Sequence, residues 1–386
     1  MLEGASILSF AVDQWTDVPR CRHHVLSRLA VRNRVLFTSS PWYVRDVLRR
    51  GRARAPALMR ISDNLHTYTP PRWLPYTYRF PRVDGVMRKL RAVAIEHVLD
   101  RLAMARPILY IWHPSFADVI GQFDVRAVVY HCYDEYAAFA GADRSRVAED
   151  EARILAAADV VVTVSEALYA RKRAFNANTH LVRNGVDYAL FASAQNPSLD
   201  LPVEVRDLPR PVIGCVTRIV PESFDAELLH DVFSRRPEWS FVVVGPECAT
   251  SSPESQAALS ALKKLPNVHL LGRRGLTELP SYLKAFDACL IPYVLTGSKG
   301  LGDPLKVYEY LAAGKPIVSK PLAALAPFGD LVSAASTADE WIEAIEHAVH
   351  DHSPERVAQR QAIARQNTWD DRVERIARLI AAASMG

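Results

Sequence analysis

A chain of 386 residues with 49% apolar and 23% charged side chains has a globular composition and is too long for one hydrophobic core, so two domains are expected. Its formal charge of +4 is too mild for a nucleic-acid binder; no apolar run approaches membrane-spanning length, and Met1-Leu2-Glu3 lacks the basic start of a signal peptide. Cys21, Cys132, Cys215, Cys248 and Cys289 are odd in number and contain no Cys-x-x-Cys pair, which favours buried thiols in a reducing cytoplasm over disulfides or zinc.

Ile7 to Val12 reads as a buried strand, Cys21 to Ala30 as a helix and Arg34 to Thr38 as the next strand, a βαβ opening. The first connection, Asp13-Gln14-Trp15-Thr16-Asp17, has no glycine, and Gly-x-Gly-x-x-Gly occurs nowhere, which argues against a nicotinamide dehydrogenase. Arg20, Arg22, His23 and His24 gather where the helix begins and suit either a phosphorylated acceptor or plain solvation. From Trp42 to Arg91 the chain is basic and aromatic: Arg45, Arg49, Arg50, Arg52, Arg54, Arg60 and six more cations after them face only Asp46, Asp63 and Asp84. Trp42, Tyr43, Tyr68, Trp73, Tyr76, Tyr78 and Phe80 are interleaved. Such a mixture suits the headgroup layer of an anionic membrane, each cation adding about 1 kcal/mol near the surface. The stretch is therefore expected to dock on the inner face of the cytoplasmic membrane. The alternative is an irregular loop region whose arginines pair with acids elsewhere.

Ile108 to Trp112 is a strand ending at His113-Pro114-Ser115, and Ala127 to His131 is another, ending in Cys132-Tyr133-Asp134-Glu135-Tyr136. A titratable cluster past the carboxyl end of a parallel strand lies on the ligand-binding edge of the sheet. A carboxylate there suits a general base; Asp134 is the first choice, Glu135 and His131 are neighbours that could serve instead, and capping is the structural alternative. The helix Arg146 to Ala158, the strand Val160 to Val164, the helix Glu166 to Ala174 and the strand Thr179 to Val182 lead to a turn at Asn184-Gly185. Ala192 to Pro211, with four prolines, is read as a linker between domains at 1–191 and 212–369.

The second block runs through strand Val212 to Val216, the loop carrying Arg218, helix Asp225 to Arg235, and strand Phe241 to Val244. Strand Val268 to Leu271 then leads into Gly272-Arg273, and helix Leu279 to Phe286 into a strand from Ala288 to Tyr293. Thr296 to Gly302 is glycine-rich without the Gly-Lys-[Ser/Thr] ending of a Walker loop. After it, Asp303 is a good N-cap, Pro304 suits the first helical position, Gly314 suits a left-handed helix end, and Pro316 forbids continuation. Val307, Tyr308 and Leu311 form an apolar stripe, and Lys306 and Glu309 fall together on the opposite face. A lysine in the first turn suits a phosphate, and a glutamate one turn later suits the paired hydroxyls of a ribose. Together they describe a nucleotide-diphosphate pocket; a solvated Lys–Glu pair is the plain alternative. The strand Ile317 to Ser319 and helices Ala338 to Val349, Arg356 to Arg365 and Asp370 to Ala383 close the chain.

The run Pro304-Leu305-Lys306-Val307-Tyr308-Glu309-Tyr310-Leu311-Ala312-Ala313-Gly314-Lys315-Pro316 resembles the donor-binding motif of GT-B glycosyltransferases related to families 1 and 4. Val129 to Glu135 is similar to the segment holding the catalytic aspartate in the bacterial xanthan-type glucuronosyltransferase, an inverting GT-B enzyme. The resemblance implies an α/β protein of two Rossmann-like, doubly wound domains facing across a cleft, with a final helix at 370–386 crossing back to the first domain. It implies a nucleotide-sugar donor, UDP-linked by preference, held by Leu305, Lys306, Glu309, Arg218, Gly272, Arg273 and Tyr293. It places a glycan or lipid-linked acceptor in the first domain beside Asp134, with His23, His24, Trp42, Trp73, His131 and Glu135 on the acceptor or membrane side. No metal or further cofactor is implied. Leu301 stands where retaining family-4 enzymes carry a second glutamate, so inversion is the expected outcome. A GT-B nucleotide-sugar epimerase and a non-catalytic membrane-associated scaffold are the rival readings.

Overall fold

The computed structural model of the chain describes residues 2–15, 19–42, 58–77, 81–139, 141–250, 252–295 and 300–384. They form two compact units, one of Met1–Arg183 with Asp370–Gly386 and one of Asn184–Trp369. The helices named below are α1 (Cys21–Leu29), α2 (Pro81–Arg101), α3 (Arg144–Ala157), α4 (Glu166–Arg173), α5 (Tyr188–Ala192), α6 (Val203–Arg206), α7 (Ala226–Ser234), α8 (Pro253–Leu262), α9 (Leu279–Ala285), α10 (Leu305–Ala312), α11 (Ala338–Ala348), α12 (Pro354–Arg365) and α13 (Trp369–Ala383).

The first unit is built on β1 (Ser6–Ala11), β2 (Arg34–Ser39), β3 (Leu58–Arg60), β4 (Leu65–Tyr68), β5 (Ile108–Ile111), β6 (Ala127–Cys132), β7 (Val160–Thr163) and β8 (Thr179–Leu181). Their order is β3-β4-β2-β1-β5-β6-β7-β8, parallel throughout except for the antiparallel edge pair β3–β4. Side chains alternate across each strand. Leu8, Phe10, Leu36, Leu109, Ile111, Val128 and Tyr130 join one core with Ile95, Leu99 and Ile154 from α2 and α3. Ile7, Val35, Phe37, Ile108 and Val129 are buried on the other face. There α13 belongs to the first unit: its Asp370 accepts from Arg28 Nε of α1 at 2.7 Å, and the Ser384 carbonyl beyond it accepts from Arg126.

The second unit is a six-stranded parallel sheet of β9 (Val212–Val216), β10 (Ser240–Val244), β11 (Val268–Gly272), β12 (Ala288–Ile291), β13 (Ile317–Ser319) and β14 (Val332–Ala334) in the order β11-β10-β9-β12-β13-β14. One face buries Val212, Val216, Val242, Cys289, Ile291 and Ile317 under α9 and α10. The opposite face buries Ile213, Cys215, Phe241, Val243, Leu290 and Val318 under α7, α8 and α11. Both sheets are doubly wound, and each reverses its order once, between β1 and β5 and between β9 and β12.

Two expectations need correction. Residues 192–211 do not stand apart as a linker: Ala194 and Val205 are buried in the second unit together with Val186 and Phe191. Their proline-rich backbone is satisfied from the side, Lys284 Nζ donating to the carbonyls of Asn196, Pro197 and Leu199 at 2.7–2.8 Å. The division therefore falls at Arg183–Asn184 rather than at residue 191. The basic stretch contains regular structure: β3, β4 and the 21-residue α2 lie within it or begin in it. Residues 43–57 and 78–80 of that stretch, and 296–299 of the glycine-rich one, lie outside the described residues.

Gly214 sits mid-strand in β9 where a Cβ would enter the Phe286 ring. Gly214→Ala is expected to lower stability by about 1–3 kcal/mol, as overpacking of a filled core does. Urea unfolding measures it; an unchanged midpoint would show that the ring moves aside freely.

Candidate functional site

The carboxyl edge of the second sheet is laced by its own backbone. Thr217 N–H donates to the Val244 carbonyl, Gly245 N–H to Gly272, Ile219 N–H to Pro246 and Cys248 N–H to Ile219, all at 2.8–3.0 Å. On the other side of β9, Asp225 N–H donates to Pro292 at 2.9 Å, Val294 N–H to Ser223 at 3.2 Å, and Tyr293 bridges Phe224. The loops bearing Arg218, Gly272 and Tyr293 are thereby tied to one another. Gly272 has φ +70°, a left-handed conformation that suits glycine, and turns the chain at the end of β11. Arg218 and Arg273 are exposed, and Arg218 reaches Cys248 Sγ at 3.3 Å.

Helix α10 meets this edge at the switch point. The Tyr310 hydroxyl accepts the Val216 amide at 2.8 Å, pinning the helix to the last residue of β9. Lys306 and Glu309 project together as expected, Nζ donating to Oε2 at 3.0 Å, with Glu309 the more buried. An ammonium keeps two further protons and a carboxylate a second oxygen after such a bond, so both can still bind a ligand. Leu305 is half-buried in the first turn.

Asp303 does not cap the helix. Pro304 holds the N-cap position, and the buried Asp303 carboxylate accepts the Asn184 amide at 2.8 Å and the Tyr308 hydroxyl at 3.0 Å, while Asn184 Nδ2 donates to the Asp303 carbonyl at 2.7 Å. The long-range partner Asn184, 119 residues away, outcompetes the local cap, and no local sequence signal announces it. The other end of the helix is as expected. Gly314 at φ +71° closes a Schellman motif in which Lys315 N–H meets the Tyr310 carbonyl and Gly314 N–H that of Leu311.

In the first unit the structure sorts the candidates. His131 is buried between β5 and α1, stacked on Trp112 at 4.4 Å with Nδ1 against the Tyr110 hydroxyl at 2.8 Å; burial lowers its pKa to about 3, so it is a neutral core residue, not a surface base. Glu135 is also withdrawn: Lys172 Nζ lies 3.3 Å from it and 2.7 Å from Glu151, and Arg171 reaches its other side at 3.2 Å. Tyr130 donates to Glu151 at 2.7 Å. This is a buried ionic network, and its members are committed to one another.

Asp134, half-buried past the end of β6, lies in the loop this network holds, with the Cys132 thiol on its carbonyl at 3.3 Å. Its charge helps burial raise the pKa of Tyr133 and Tyr136.

His23 is buried too, contrary to its expected place at the acceptor surface. Its Nδ1 accepts the Arg20 amide at 3.0 Å, and burial, with Arg22 and Arg20, lowers its pKa to about 4. His24 is half-buried on α1. Asp13, not among the expected site residues, pairs with Arg20 and with the buried Arg22, and its charge partly offsets the lowering of the His113 pKa by burial. Its place one residue beyond a strand end was the available signal. Trp42 carries the Arg72 guanidinium 4.9 Å above its ring, and Trp73 is 70% exposed.

Residues 210–351 match the family described as Glycosyl transferases group 1. TuaH of Bacillus subtilis (strain 168), named as a teichuronic acid biosynthesis glycosyltransferase, is 28% identical over 263 residues, and the chain spans 64% of that relative's length with 64% of its own. The fold matches sucrose-phosphate synthase from Thermosynechococcus elongatus (TM-score 0.71, 16% identity, 98% of both chains). It also matches Anabaena HepE in complex with UDP and glucose (0.67, 15%, 98% and 99%) and the Escherichia coli trehalose-6-phosphate protein bound with UDP-2-fluoro glucose (0.67, 13%, 98% and 99%). These are GT-B structures, and the architecture is theirs.

The neutral buried histidines give stability a definite pH dependence. With folded pKa values below the unfolded 6.5, His131 and His23 favour folding fully above pH 6.5, and that contribution is lost as pH falls toward about 4 and then about 3. Urea unfolding between pH 7.5 and pH 5 should show stability falling by up to about 1.4 kcal/mol per pH unit for each histidine once below pH 6.5. A flat profile would mean that these rings titrate normally.

Proposed function

With the GT-B fold and a group 1 glycosyltransferase domain over residues 210–351 as the premise, we propose that the protein transfers a sugar from a nucleotide-diphosphate sugar, UDP-linked by preference, to a hydroxyl of a glycan or lipid-linked acceptor in bacterial polysaccharide synthesis. The observation that carries the reading is the Lys306–Glu309 pair at the amino end of α10, pinned at the order reversal of its sheet. Lys306 and the first-turn amides of α10 meet the diphosphate, with Arg218 nearby on the β9 loop; Glu309 takes the ribose hydroxyls; Gly272 and Arg273 flank the base, and Tyr293 the donor. The UDP and UDP-sugar bound by neighbours of the same fold support this donor class.

In the reaction, the acceptor hydroxyl loses its proton to the Asp134 carboxylate as its oxygen bonds to the anomeric carbon. The bond from that carbon to the donor diphosphate breaks, and its electron pair leaves on the phosphate oxygen, where fixed positive charge stabilises it without a metal in the scheme. Direct displacement inverts the anomeric centre. Glu135 and Lys172 act through position, holding the loop on which Asp134 stands. Lys306→Ala should abolish UDP-induced thermal stabilisation. Asp134→Asn should keep that stabilisation and lose transfer by a factor of about 100 or more. Normal transfer by Asp134→Asn would remove Asp134 as the base.

The reading extends to the inner membrane face. Helix α2 exposes Val83, Val86, Leu90 and Val93 by 44–61%, a stripe at spacings of three and four, flanked by exposed Arg82 and Lys89. An aliphatic stripe beside cations suits an anionic bilayer surface. Among the described residues no helix is long and apolar enough to cross a membrane. In vesicle flotation the protein should rise with phosphatidylglycerol-containing vesicles and not with neutral ones, and Val86→Asp/Leu90→Asp should stay at the bottom of the gradient. Equal flotation of that variant would place docking elsewhere.

A further inference from the structure

The inner side of the same helix borders an open pocket between α2 and the carboxyl ends of β1, β2 and β5. Its floor is Phe10, Ile95, Phe116 and Phe123, four members of the first unit's core left open on one side. Three phenyl rings and an isoleucine offer no partner to hydroxyls, so whatever lies on them must be apolar.

The rim is polar: Arg88 of α2 pairs with Asp118 at 3.0 Å, which Arg153 also reaches at 3.0 Å, and Arg91 lies 3.6 Å from Asp84 and donates to the Pro75 carbonyl at 2.7 Å. Two polar atoms of the wall are buried without a hydrogen-bond partner, the Thr38 hydroxyl and Arg88 Nε. Thr38 is only 1% exposed, whereas its neighbour Ser39 has found Thr69 at 3.1 Å. Buried polar atoms ordinarily have partners, and two lining one pocket point to a ligand that supplies acceptor oxygens.

A chain of side-chain contacts runs from the pocket wall toward the loop of the proposed base. Wall residue Ser115 meets His113 Nδ1 at 2.9 Å, and His113 packs edge-on against Tyr136 at 4.4 Å, two residues past Asp134.

Resting on the transferase reading above, we propose that this pocket holds the phosphate-and-chain end of a lipid-linked acceptor. The hydrocarbon lies over the phenylalanine floor, and the phosphate oxygens meet Arg88 and the Thr38 hydroxyl. The sugar end of the acceptor is then directed along Ser115 and His113 toward Asp134.

Titration calorimetry on the full chain tests this with decyl phosphate below its micellar concentration, alongside decanol and inorganic phosphate. Saturable binding is expected for decyl phosphate and at least about tenfold weaker binding for either part alone. Arg88→Gln and Thr38→Val should each weaken decyl phosphate by about tenfold. Thr38→Val should unfold at or above the wild-type temperature, because its hydroxyl gives up no protein partner. Absence of saturable binding, equal affinity for inorganic phosphate, or wild-type affinity in both variants would overturn the proposal. UDP-induced thermal stabilisation, measured in parallel, reports separately on the donor reading and should be the same in both variants.

Discussion

The buried carboxylate of Asp303 decides where helix α10 begins. It accepts the Asn184 amide and the Tyr308 hydroxyl at once, and Asn184 returns a bond to the Asp303 carbonyl. A charge this deeply buried is tolerable only when its oxygens are filled, and here both are engaged by groups from elements far apart in sequence. The first turn of α10 is therefore set by tertiary contacts instead of a local cap. Tyr310 on the Val216 amide supplies the second fixed point, and between the two the direction of Lys306 and Glu309 leaves little freedom. Pre-set direction matters because a leaving diphosphate gains most from charge that need not rearrange as the bond breaks.

What was legible in the sequence follows the range of the forces involved. Strands β9 and β13 were readable to the residue, since short apolar runs bounded by proline and charge are local signals. The glycine that ends α10 was equally local, a left-handed position with one cheap solution. Helix α2 was missed because it is apolar on two faces: Ala92, Ile95 and Leu99 turn inward while Val83, Val86, Leu90 and Val93 turn outward. No single stripe emerges from such a pattern, and the arginines and aromatics around it point to a surface for a membrane without specifying a helix.

Around β6 the sequence picked out a titratable loop but could not rank its members. His131, Asp134 and Glu135 are close neighbours, and their fates diverge through partners on other elements, 21 residues away for His131 and 37 for Glu135. Lys172 claims Glu135, and Tyr110 with Trp112 encloses His131. A side chain's protonation state is set by what surrounds it, and a linear pattern carries little of that information. The boundary at Arg183 was invisible for the same reason: prolines at 197, 202, 209 and 211 signal a linker unless Lys284 is known to satisfy the carbonyls beside them.

The two sheet edges are made differently, and this bears on what each can recognise. The edge of the second unit is joined mainly through main-chain bonds between residues 217–225, 245–248, 272 and 292–294, and main-chain groups keep their chemistry whatever side chain they carry. A ligand whose features are a diphosphate and a ribose needs little more than amides, one cation and one carboxylate, and a short motif suffices to disclose it. The edge of the first unit is made of side chains: Asp13 with Arg20 and Arg22, Lys172 between two glutamates, His113 between Ser115 and Tyr136. Each of those pairings can be replaced by another without altering the sheet beneath. On the proposed reading, donor class is carried by the fold and one helix, whereas acceptor identity resides in a set of contacts that must be located in three dimensions before its chemistry can be argued.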